Sequence, residues 1–133
     1  MIDRRRALKI LVLSALGLVP VPSTAAALIV PRSWYGWSFT LTGKSITTPA
    51  QYFDGNNIGI EMTCSAAVSG RLLVSCHSGY SGGSSLGTRS FSYQGFTKAT
   101  WQSNDPGIYR FVISRQGTDS AVVRSSDVKM YSW

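Results

Sequence analysis

His77 is the one histidine in the chain and so the one ordinary candidate for a general base. Hydrolysis by a serine nucleophile needs that base beside the nucleophile and an acid to orient it. The neighbouring run Ser78-Gly79-Tyr80-Ser81-Gly82 contains Gly-x-Ser-Gly, not the Gly-x-Ser-x-Gly elbow that joins a strand to a helix. Paired carboxylates would have to come from Asp54, Glu61, Asp105, Asp119 and Asp127. All but Glu61 fall in turn segments or at a strand start, where a short acidic side chain already has a turn role. Cys64, Cys76 and His77 supply at most three ligands for zinc, and strand alternation sends His77 to the opposite face from Cys76. Asp54-Gly55-Asn56 offers too few oxygens for calcium. Gly82-Gly83 is followed by no lysine and no helix that would cradle a phosphate. The residues therefore predict no catalytic constellation, no metal and no cofactor, with a small hydrolase around His77 as the alternative.

Aromatic side chains carry the remaining recognition chemistry. Tyr35, Trp37 and Phe39 share one face of a strand and read as a core stripe. Trp34 is out of phase with that stripe, Tyr80 is the one large side chain in a Gly/Ser segment, and Trp133 ends the chain. These three are the predicted ligand-binding residues, suited to stacking on a sugar ring or anchoring a protein interface. The competing reading for Trp34 is a ring partly covered by the N-terminal arm.

The segment ahead of these residues has its own pattern. Asp3-Arg4-Arg5-Arg6-Ala7-Leu8-Lys9 is followed by an apolar run from Ile10 to Val21 and by the small residues Thr24-Ala25-Ala26-Ala27, which together predict a cleavable signal peptide over 1–27. The n-region resembles the twin-arginine export signal, with Ala7 where an aromatic or leucine is usual, and the resemblance implies export in the folded state. The alternative is an uncleaved membrane anchor from Ile10 to Val30, which Pro20 and Pro22 oppose by interrupting a spanning helix.

Of the formal charge of +7, Arg4, Arg5, Arg6 and Lys9 belong to that segment. From Leu28 onward nine Lys/Arg face five Asp/Glu, 9 − 5 = +4, as single charges and not as a clustered basic stripe. A nucleic-acid partner is therefore not expected. No membrane partner is expected once the signal is cleaved.

The elements that must position the aromatics are strands. Residues 28–133 are expected to form a single all-β domain, a small antiparallel β-sandwich of seven to eight short strands. Period-two alternation marks strands from Trp34 to Leu41, from Ile58 to Cys64 and around Leu72, Val74 and Cys76. Further strands are read at 89–93, 96–102, 107–115, 121–124 and 128–133. The 107–115 strand is apolar on both faces and should be central, while the Arg89 and Lys98 strands suit sheet edges. Ser78 to Gly87 reads as a flexible loop. A hairpin turning about Gly70 would set Cys64 opposite Cys76 in the register that also aligns the apolar faces. This predicts a Cys64–Cys76 disulfide, which an oxidising compartment permits.

Together these readings predict an exported, non-catalytic binding module acting at the cell envelope or outside the cell, secreted or periplasmic. Its partner would be an envelope glycan or an extracellular protein. The alternative is a secreted effector, a protease inhibitor or antibacterial toxin, with Ser78 to Gly87 as its reactive segment.

Overall fold

Alternation of large apolar and small polar residues builds the structure strand by strand. The computed structural model describes residues 32–102 and 104–133, and the signal-peptide expectation for 1–27 lies outside them. The strands are β1 (Ser33–Leu41), β2 (Ser45–Thr47), β3 (Gln51–Phe53), β4 (Ile58–Cys64), β5 (Arg71–Ser78), β6 (Ser85–Ser92), β7 (Gly95–Trp101), β8 (Gly107–Arg115) and β9 (Val123–Ser132). They form two antiparallel sheets, and the described residues contain no helix. One sheet has the order β1-β9-β4-β7; the other runs β2-β8-β5-β6, with β3 also paired to β8. The Arg110 strand, β8, is central as expected, and the Arg89 and Lys98 strands, β6 and β7, are edges.

Both sheets turn one face to a common apolar core. Phe39, Ile58, Ile60, Met62, Val128 and Met130 come from the first sheet, and Leu72, Val74, Phe91, Phe111 and Ile113 from the second. The Tyr35-Trp37-Phe39 stripe packs on this core, with Phe39 fully inside. Burying side chains of this size contributes on the order of 2 kcal/mol each.

Among the described residues nine strands form where seven or eight were expected. β2 and β3 have only three residues each on either side of Pro49, too few to show an alternation. The segments 121–124 and 128–133 are one strand, β9, whose alternation is broken by a bulge. Trp37 pairs with Val128 but Phe39 pairs with Ser125, so β9 carries one extra residue at that point. Val123 and Ser125 point inward before the bulge, Val128 and Met130 after it, and the phase change looks like two strands in the sequence.

The hairpin about Gly70 and its disulfide do not form. β4 pairs with β7 and β9, whereas β5 pairs with β6 and β8 in the other sheet. Cys64 lies opposite Gly95 and Cys76 opposite Phe111, and both are buried free thiols. Aligning apolar faces does not identify a hairpin, because two strands that pack face to face across a core carry the same pattern. Burial pushes the thiols up to about 11 for Cys64 and about 12 for Cys76, with Asp127 adding to the Cys64 shift.

Arg115 is a charged residue at the core boundary, with its side chain 4% exposed. Its guanidinium donates to the carbonyls of Gly43 and Ala121, to the Tyr93 hydroxyl and, at 2.7 Å, to Asp119. One planar group thereby ties the β1–β2 and β8–β9 connections together.

Candidate binding face

The outward residues of the β1-β9-β4-β7 sheet form one continuous face. At one end Trp34 of β1 stands opposite Tyr131 of β9, which stands opposite Gly59 of β4. Facing residues of adjacent antiparallel strands project to the same side, so the two rings share a surface. Trp34 is 56% exposed. Tyr131 lies nearly buried across Gly59: a Cβ built at Gly59 would stand 2.7 Å from the Tyr131 ring carbon Cζ. Trp133, half-buried, stacks on Tyr131 with ring centroids 5.6 Å apart and planes 28° from parallel. The Trp34 ring leans over Gly36, the next outward position of β1, where a Cβ would touch it at 3.5 Å. Glycine at position 59 lets the Tyr131 ring lie down on the sheet, whereas a methyl at position 36 would make only an ordinary contact with the Trp34 ring.

A charged row follows, in which Gly36, Lys129, Glu61 and Lys98 align across the four strands. The Glu61 carboxylate lies beside the Tyr131 hydroxyl; burial first, and then this carboxylate, raise the tyrosine above its ordinary range. Beyond the row, the β9 bulge interrupts pairing with β4 between Glu61–Lys129 and the Ser65–Arg124 bridge. The Asp127 carboxylate fills the gap, accepting from the Thr63 backbone N–H at 3.0 Å and from the Ser125 hydroxyl at 3.1 Å. The Thr63 N–H, then the Ser125 hydroxyl, hold its pKa below the usual carboxylate range. An open groove of about 780 Å³ results, lined by Ser38, Thr40, Thr63, Ser65, Arg124 and Asp127. Aromatic rings, a charged row and a hydroxyl-rich groove thus succeed one another along β9.

Two of the three predicted binding residues, Trp34 and Trp133, are brought together here. Tyr80 is not among them, because its loop joins β5 to β6 in the other sheet. That loop is also better held than its composition suggests. Arg110 donates to the carbonyls of Ser78, Gly79 and Gly82, and the Ser78 hydroxyl accepts from the Ser84 N–H. Gly79, Gly82 and Gly83 take positive φ to make the turn, leaving Tyr80 74% exposed at the tip.

His77 sits on β5 opposite Arg110 of β8 and Ser85 of β6. Burial, and then the Arg110 charge, lower its pKa. Among the described residues its side chain makes no hydrogen bond to a serine or a carboxylate, and no three metal-ligating side chains cluster.

Sequence reasoning missed Tyr131, the glycines beneath the rings and the Asp127 bridge. Tyr131 and Trp133 are two apart at the end of a strand, a spacing that puts them on one face. That pairing was legible. The approach of Trp34 was not, because it depends on which strand lies beside β9. Comparison with protein-family models and with curated proteins finds no match for this chain.

Proposed function

We propose that this protein is an exported, non-catalytic β-sandwich module that binds a glycan along the outer face of the β1-β9-β4-β7 sheet. The observation that carries the reading is the row of rings: Trp34 opposite Tyr131, and Trp133 stacked on Tyr131. Flat-lying aromatic rings offer a sugar ring an apolar surface, and the hydroxyl-rich groove along the same strand supplies hydrogen-bond partners for its hydroxyls. The basic and apolar pattern of residues 1–27 supports an export route, resembling the twin-arginine signal, to a compartment where such polymers occur. The test is retention of the full chain on insoluble peptidoglycan, chitin and cellulose, beside Trp34→Ala and Trp133→Ala variants. Retention on one polymer that both variants lose supports the reading, and equal retention of all three proteins counts against it.

A protein-directed effector, an inhibitor or toxin, is favoured by a different observation, the Arg110-braced loop with Tyr80 at its tip. A preorganised aromatic anchor loses little entropy on docking. This reading requires Tyr80→Ala to abolish inhibition or toxicity while Trp34→Ala leaves it intact.

A further inference from the structure

The chemistry of the ligand can be narrowed from the charges on this face. Five cations among the described residues are engaged by their own fold: Arg32 pairs with Asp54, Arg71 donates to the Ser90 hydroxyl, and Arg89, Arg110 and Arg115 donate to backbone carbonyls. Lys44, Lys98, Arg124 and Lys129 donate no side-chain hydrogen bond among the described residues. Three of these four, Lys98, Arg124 and Lys129, are exposed on the proposed binding face.

The face also carries Glu61 and Asp127, so its net charge is 3 − 2 = +1. The two signs are not equally available. Asp127 is bound by Thr63 and Ser125, and Glu61 sits beside the Tyr131 hydroxyl, so both carboxylates are committed within the protein. Lys98 and Lys129 stand opposite Glu61 across the row and Lys129 also acts on Asp127, but none of the three cations donates a side-chain hydrogen bond among the described residues.

Their spacing suits a chain of charges better than a single anion. Lys129 and Lys98 lie two strands apart in one row, about 10 Å across the sheet. Arg124, which lies on the edge of the groove, is separated from Lys129 by four positions of the facing strand β1, from Gly36 to Thr40, about 13 Å at the rise of a strand. The three charges are therefore spread across and along the face and not gathered at one point.

We infer that the ligand of this face is an acidic glycan, a sugar polymer bearing repeated carboxylates or phosphates, whose rings stack on Trp34 and Trp133 while its anionic groups pair with Lys129, Lys98 and Arg124. The inference rests on the glycan reading above and adds charge to it.

The experiment measures binding of the full chain to polygalacturonate, to a glycerol-phosphate teichoic polymer, to neutral dextran and to a single-stranded oligonucleotide, at low and high salt. Beside it stands the triple variant Lys98→Gln/Arg124→Gln/Lys129→Gln, whose melting temperature should match the parent because all three residues are exposed. The expected result is binding to one acidic polymer, at least about tenfold weaker in the variant and weakened by salt. Preference for polygalacturonate assigns a carboxylate ligand, and preference for the teichoic polymer assigns a phosphate one. Binding to dextran as tight as to either acidic polymer, unchanged in the variant, would overturn the inference and leave the glycan reading standing. Tightest binding to the oligonucleotide would overturn both, and binding to neither acidic polymer would overturn the inference alone, the glycan reading being tested on peptidoglycan, chitin and cellulose.

Discussion

The Tyr131 ring of β9 lies directly across Gly59 of β4, with its Cζ 2.7 Å from where a Cβ would stand. The ring therefore occupies the space of a side chain on the neighbouring strand, and the flatness of the aromatic end of the face depends on the absence of one atom. Gly59→Ala should lift Tyr131, disturb its stacking with Trp133 and cost about 1–3 kcal/mol of stability. Near-ultraviolet circular dichroism and a urea titration would measure both effects. Gly36→Ala is the matched control, since its methyl would meet the Trp34 ring at 3.5 Å, an ordinary contact, and should leave the spectrum unchanged.

Arg115→Ala removes the donor shared by the Gly43 and Ala121 carbonyls, and the loss of these two charge-assisted bonds alone is expected to cost about 3 kcal/mol. Arg115→Lys should recover little of it, because an ammonium lacks the planar fork that reaches Gly43, Ala121 and Asp119 together. Chemical denaturation of the two variants checks the expected order, parent well above both.

Arg110→Ala should release the Tyr80 loop while the sheets stay folded. Faster amide exchange or proteolytic nicking confined to 78–85, with the melting transition of the core retained, is the expected outcome. Unaltered exchange in the loop would show that its glycine turns hold it without the guanidinium.

The two thiols give a prediction in pH. Their folded values, about 11 and about 12, lie above the unfolded value of 9.0, so the unfolded chain loses its thiol protons first as pH rises. The stability they contribute is full below pH 9 and falls between pH 9 and the folded values, by up to about 1.4 kcal/mol per pH unit for each thiol. Tyr93, Tyr109 and Tyr131, also raised, add to the loss in the same direction. Urea midpoints measured at several alkaline pH values should decline faster in the parent than in a Cys76→Val variant. A thiol reagent should titrate both cysteines only after unfolding.

The residues that alternate without interruption were legible from the sequence: β1, β4, β8 and the edge placement of β6 and β7 all follow from side-chain pattern. Pattern alone did not pair the strands. Cys64 and Cys76 have the same inward phase whether their strands are neighbours in a hairpin or lie in opposite sheets, and only the register with β7, β8 and β9 separates the cases. The bulge at Ser125–Asp127 is hidden for a related reason, since one extra residue reverses the phase and looks like a strand end. Trp34 and Trp133 were found as aromatics out of phase with the core or at a terminus. What brings them together is Tyr131, assigned to neither role, and its glycine seat.

The proposed function requires the Trp34–Tyr131–Trp133 row to contact sugar. The most direct measurement is the affinity of the full chain for the polymer that retains it, compared with that of Trp34→Ala. The expected loss is at least about tenfold, in line with removal of one ring that stacks at the centre of a contact, with no change in melting temperature. Equal affinity in a folded Trp34→Ala protein would contradict it and move the function to another surface.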